Sequence, residues 1–294
     1  MGMNVEVIME RVTELGEGPF WDEQRQTLYF VDITGKKIHR YLPNEQKHEP
    51  FPVGQMIGAV VPAEAGKLVC AMEQGFYDFD LQTQQLSPLG DPEPQLPNNR
   101  FNDGKCDAAG RFWAGTMSKI NERHQGSLYC LRPDGSWEQM VKDVSISNGL
   151  AWSEDNKTMY YIDSPTRQVK VYNYNIVEGT MDAGRVLITF PEDAGVPDGM
   201  TIDVEGYLWI AMWGGWGVLR CDPQSGQVVQ KIELPVSQVT SCAFGGKDMD
   251  VLYITSASIG LSAEQLQKEP LAGSLFQLKT MTKGFHVDRY GHNG

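Results

Sequence analysis

Thiols and imidazoles are scarce, with five cysteines and five histidines in 294 residues. The cysteines (Cys70, Cys106, Cys130, Cys221, Cys242) are odd in number and nowhere spaced Cys-x-x-Cys. That argues against a disulfide framework and a thiolate zinc site, and makes buried free thiols the expectation. No apolar run is long enough to cross a bilayer, and Met1 to Arg11 lacks the basic and apolar regions of a signal peptide, so the chain reads as soluble and cytoplasmic with no membrane partner. Basic charge is short as well: 25 Lys and Arg face 38 Asp and Glu, a net charge of −13. Such a surface repels phosphate backbones, which excludes nucleic acid as a partner. Also missing is any long amphipathic helical pattern.

What the chain has instead is repetition. Val196-Pro197-Asp198-Gly199-Met200-Thr201-Ile202, the turn Asp203-Val204-Glu205-Gly206, and Tyr207-Leu208-Trp209-Ile210-Ala211 follow one plan. An acid or amide precedes a glycine, and a short apolar run, a polar turn and a second apolar run follow. Asn148-Gly149-Leu150-Ala151-Trp152 and Glu17-Gly18-Pro19-Phe20-Trp21 open two further units of the same kind. Second-strand anchors at Leu28, Leu68, Phe112, Met159, Leu208 and Leu252 are roughly 40 to 50 residues apart, the period of propeller blades. Each unit has hairpin chemistry, β-branched and aromatic runs punctuated by Asp, Asn, Gly and Pro. The expectation is an all-β fold, a six-bladed β-propeller of four-stranded blades forming a single domain over residues 1–294. The strand from Val5 to Met9 would complete the last blade, closing the ring without an exposed edge. A two-sheet sandwich gives no reason for six similar units.

In a propeller the first strand of every blade lines the central channel. Glu17, Ile57, the Asn102-Asp103 pair, Asn148, Asp198 and Ser241 therefore converge on the axis. Asp or Asn before Gly is also ordinary turn chemistry, but Glu17 between two glycines is not. Two carboxylates brought together repel unless a cation sits between them. An all-oxygen donor set of Glu17, Asn148 and Asp198 suits a hard divalent ion such as Ca²⁺, Mg²⁺ or Mn²⁺. No histidine occupies a converging position. An open divalent site of this kind points to hydrolysis of an ester-like bond.

Several longer stretches stand out: Gly16-Glu17-Gly18-Pro19-Phe20-Trp21, Asn99-Arg100-Phe101-Asn102-Asp103-Gly104-Lys105, Gly115-Thr116-Met117, Glu122-Arg123-His124-Gln125-Gly126-Ser127-Leu128-Tyr129, Ser147-Asn148-Gly149-Leu150-Ala151-Trp152, Pro197-Asp198-Gly199-Met200 and Thr240-Ser241-Cys242-Ala243-Phe244-Gly245-Gly246. In this order they resemble the senescence-marker-protein, gluconolactonase and luciferin-regenerating-enzyme family, the regucalcin-like proteins. The resemblance implies a six-bladed propeller with one divalent cation in its channel, Ca²⁺ first and Zn²⁺, Mn²⁺ or Mg²⁺ as alternatives in activity. It implies a small-molecule lactone as substrate, an aldonolactone such as gluconolactone. By motif, Glu17, Asn148 and Asp198 would be metal ligands, Arg100 and Asn102 substrate contacts, and Asp198 the general base. After Met117 this chain departs from the pattern: residues 118–121 replace a longer loop that carries acidic residues, which bears on substrate identity. A non-catalytic metal- or ligand-binding propeller and a phosphotriesterase-like hydrolase remain the alternatives. Trp213 is a candidate for the channel mouth, and residues 91–97 for either a lid or an inert proline-stiffened loop.

Overall fold

The structure, a computed structural model, describes residues 4–291; His292, one of the five histidines, lies outside them. Locally the fold is a series of hairpins whose turns are fixed by side chains. Asp22 Oδ1 accepts from the backbone N–H groups of Gln24 (3.1 Å) and Arg25 (3.2 Å). Asp107 does the same for Ala109 (2.9 Å) and Arg111 (3.0 Å), and Asp203 for Glu205 and Tyr207, both at 3.0 Å. An aspartate at the end of an apolar run thus stops the strand and starts its return.

Among the described residues the strands form six antiparallel sheets arranged as a six-bladed β-propeller. The inner strands are Gly16–Asp22, Ile57–Pro62, Asn99–Cys106, Ser147–Trp152, Val196–Ile202 and Val239–Gly245. In the sixth blade the outer strand is Glu6–Met9, paired with Leu275–Lys279 from the other end of the chain. Apolar side chains pack between neighbouring blades. Tyr29, Ile38 and Phe51 meet Val60, Leu68 and Phe79, for example, and Trp113 and Leu128 meet Leu150 and Tyr161. All five cysteines are free and buried in this packing. The one α-helix among the described residues, Ala263–Lys268, is short and capped by Ser262.

The inner strands share a second feature. Each breaks register with its neighbour once, between Glu17 and Phe20, Ile57 and Ala59, Phe101 and Gly104, Asn148 and Leu150, Pro197 and Met200, and Val239 and Ser241. A bulge leaves a residue unpaired and re-aims side chains, so the acid- or amide-glycine pairs lie in strand bulges rather than in turns. The glycines answer to crowding around the axis: a Cβ on Gly58 would lie 2.2 Å from Asn102 O in the next blade, and one on Gly199 would lie 2.1 Å from Ser241 Oγ. Only glycine lets neighbouring inner strands approach this closely. At the far end of these strands, residues 283–291 cross several blades, through bonds such as Val204 N to Lys283 O (2.8 Å), Gly284 N to Met249 O (2.8 Å) and Tyr290 N to Pro62 O (3.0 Å).

Candidate functional site

At the near end of the inner strands, a cavity of about 510 Å³ is lined by Glu17, Arg100, Asn102, Asn148 and Asp198 together. Ile57 and Ser241 do not line it; Ile57 is packed into the core between the first two blades. A chain of hydrogen bonds connects the third blade to the fifth. Arg100 donates to Phe101 O (2.8 Å) and Asn102 Oδ1 (2.7 Å). Asn102 Nδ2 donates to Ser147 O (2.8 Å) and Asn148 Oδ1 (3.2 Å). Asn148 Nδ2 donates to Ser164 Oγ (2.9 Å), which in turn donates to Pro197 O (2.7 Å). Because Ser164 gives its own proton to Pro197, it must accept from Asn148, and that keeps Asn148 Oδ1 an acceptor.

The electrostatics are those of charges crowded away from water. Burial, followed by the charge of Asp103, pushes the Glu17 carboxyl up to about 8. Burial, followed by the charges of Glu17 and Asp103, holds Asp198 well above the carboxylate range. Arg100 comes down to about 10 through burial, against the pull of Glu17, Glu73 and Asp198. Two buried carboxyls so placed cannot both ionise unless positive charge joins them. Asp198 Oδ1 is moreover buried without a hydrogen-bond partner, a costly state for an acceptor. Asp103 does not line the cavity; its Oδ1 accepts from Gly104 N at 2.7 Å. Among the described residues no three His, Cys, Asp or Glu side chains form a metal-binding group; the candidate set has two carboxylates and an amide.

Trp213, the sequence candidate for the channel mouth, does line the cavity, whereas Trp209 is core, its Nε1 donating to Asp203 at 2.9 Å. Most of the remaining lining came without sequence signal. The turn at residues 118–121 brings Asn121 to the wall in a left-handed conformation (φ 59°), with Arg123 beyond it, while Lys119 pairs with Glu73. Arg167 and Ser164 arrive from the fourth blade. Residues 91–97 do not reach this cavity. Glu93 is buried beneath them and accepts from Asn99 (2.8 Å), Thr116 (2.9 Å) and Tyr129 (3.0 Å), which ties the segment to the third blade behind Arg100.

The profile of the SMP-30/Gluconolactonase/LRE-like region matches residues 15–258. The chain belongs to this family. A regucalcin of Danio rerio is 42% identical over 295 residues, covering 99% of both chains. "Putative sugar lactone lactonase YvrE" of Bacillus subtilis is 39% identical over 271 residues, 92% of this chain and 93% of that one. Among solved structures, a calcium-binding protein, regucalcin, from Agrobacterium tumefaciens superposes with a TM-score of 0.94 at 29% identity, covering 98% of this chain and 97% of the other. The matched range takes in all six inner strands, from Gly16 to Gly245.

Proposed function

We propose that this protein hydrolyses a lactone, with one divalent cation held by Glu17, Asn148 and Asp198. The observation that carries the reading is the partnerless Asp198 Oδ1 beside a second buried carboxyl in one cavity. These oxygen donors fit a hard cation, Ca²⁺ first, with Mn²⁺, Mg²⁺ or Zn²⁺ able to replace it. When bound, it supplies Lewis-acid stabilisation of charge at a carbonyl oxygen and makes water easier to deprotonate.

The chain's own groups do the rest. Asp198 orients the attacking water and accepts its proton. The water oxygen bonds to the lactone carbonyl carbon, the ring C–O bond breaks, and the ring oxygen leaves as a hydroxyl by taking the proton that Asp198 received. Arg100, fixed by Asn102 and Phe101 O, places positive charge beside the reacting oxygens and needs no reorganisation to do so. Asn102 donates and accepts, which suits a polyhydroxylated ring. The lactonase named in Bacillus subtilis supports the reaction, and the calcium-binding neighbour supports the cation.

The test is a pH-stat screen of aldonolactones, aliphatic lactones and phosphotriesters, with Ca²⁺, Mg²⁺, Mn²⁺ or Zn²⁺ returned to metal-stripped protein. Asp198→Ala should lose both metal affinity and hydrolysis, by about 10³-fold or more in kcat. Arg100→Ala should lower kcat while metal affinity stays. An Asp198→Ala variant that hydrolyses lactones at the wild-type rate removes the site from the reaction. Tight metal binding with every ester left intact supports a binding module instead.

A further inference from the structure

The acidic chain puts an excess of arginine on this one cavity. Its charged lining consists of Glu17 and Asp198 against Arg100, Arg123 and Arg167. The carboxylates and Arg100 are buried, whereas Arg167 is half-buried and Arg123 exposed. Depth therefore separates a reacting floor from a cationic mouth. Elsewhere Arg25, Arg40, Arg111, Arg132, Arg220 and Arg289 each meet a carboxylate, while among the described residues Arg11 and Arg185 form no ion pair. Among the described residues neither Arg123 nor Arg167 forms an ion pair. Arg167 is instead positioned by backbone. It has φ 56°, its N–H closes the Ser164–Thr166 turn on Ser164 O (3.0 Å), and its guanidinium donates to Gly195 O (2.5 Å) and Pro191 O (3.4 Å). A guanidinium fixed by neutral acceptors keeps its full charge for a ligand. The loop after Met117, which lacks the family's acidic stretch, presents the Asn121 amide to the cavity, and its one carboxylate, Glu122, is not among the lining residues.

We infer that the preferred lactone is acidic, carrying a carboxylate or phosphate on the carbon farthest from the ring carbonyl, with Arg123 and Arg167 receiving that anion. The inference rests on the lactonase reading and names the substrate class of the same site. Forked guanidinium donors match both anions. With the ring carbonyl at the floor beside Asp198, a substituent at the far end of a six-carbon chain lies toward the mouth, where these two arginines stand.

The experiment compares kcat/KM for a neutral aldonolactone, an aldarolactone bearing a free carboxylate, and a 6-phosphoaldonolactone, all with Ca²⁺ or Mn²⁺ present. Wild type should favour at least one acidic lactone by about tenfold or more, and which one it favours identifies the anion. Arg123→Gln and Arg167→Gln should each cut the acidic-to-neutral ratio by about tenfold, and Arg123→Lys should restore part of it. A wild type without preference, or variants that lower all three substrates equally, overturns the proposal. Calorimetric binding of the open-chain dicarboxylate gives a readout that does not depend on turnover. If no lactone is hydrolysed, the lactonase reading fails, and the arginine assignment then stands if the dicarboxylate binds wild type and binding is lost in both Gln variants. It falls if wild type does not bind it.

Discussion

His39 and His48 lie edge to edge in nearly one plane, parallel to within 1°, with Nδ1 of the first 2.7 Å from Nε2 of the second, and Phe30 is stacked on His39 at 4.7 Å. That hydrogen bond needs one ring to accept, so a doubly protonated pair loses it. Burial first, and the neighbouring His48 second, bring His39 down from 6.5 to about 4, and burial lowers His48 too. A base whose folded pKa lies below its unfolded one contributes stability that is present above about pH 6.5 and is lost as pH falls through the folded pKa. The size is on the order of 3 kcal/mol across that window. Thermal melts from pH 7 to 4 should therefore show a steeper loss for wild type than for His39→Phe, which keeps a ring in the stack without a titrating nitrogen. Parallel melting curves for the two proteins would remove the pair from the acid limb. The same scale explains how the site reads in sequence. Glu17 was conspicuous because a carboxylate between glycines has no turn role, whereas Asn148-Gly149 and Asp198-Gly199, taken singly, look like turns. Their bulge geometry appears only when the strand pairs form.

The closing strand, Glu6–Met9, pairs with Leu275–Lys279 through Glu6 opposite Gln277, Val7 opposite Phe276 and Met9 opposite Leu275. Its Ile8 and Met9 pack on the core shared by the fifth, sixth and first blades. Removing residues 1–9 uncovers a row of unpaired backbone groups on Leu275–Lys279, an edge open to strand addition. We expect a loss of about 2–4 kcal/mol from the two apolar side chains alone, seen as a lower urea midpoint, together with light scattering that grows with protein concentration. An unchanged midpoint and clear solutions would show that the strand contributes neither. At this scale the sequence was most readable. Hairpin turns are local, and Asp22, Asp107 and Asp203 each fix one within a few residues, so six similar units could be counted without knowing how they pack. Loops outside the repeat were opaque for the opposite reason. Arg123 and Arg167 follow no period, and their place on one cavity depends on how two neighbouring blades pack, while Ser164 gained its role only when Pro197 O arrived from another blade. Residues 91–97 showed prolines but not the buried Glu93 that holds them down.

A ring brings carboxylates from distant repeats to one axis, and the whole molecule bears the cost of that convergence. For Glu17 the folded pKa of about 8 lies above its ordinary 4.5. A group raised in this way contributes stability that is fully present below the unfolded pKa and is lost as pH rises through the folded one. Asp198 is shifted in the same direction. In metal-stripped protein, wild type should therefore lose stability relative to Glu17→Gln between about pH 4.5 and 8. A cation held by both carboxylates and Asn148 reverses the trend, because binding displaces their protons and tightens as pH rises. At one hundred times its Kd, a ligand specific to the folded state adds about 2.7 kcal/mol, a Tm rise of several degrees. Calorimetric scans with and without Ca²⁺ at pH 5.5 and 8 should show a larger Ca²⁺ shift at pH 8 in wild type and a much smaller one in Glu17→Gln. Equal shifts at the two pH values, or a Glu17→Gln variant that responds like wild type, would mean that the cation is held elsewhere. Such an outcome would leave protonation of Glu17 and Asp198, and not a metal, as what lets their carboxyls meet at the axis.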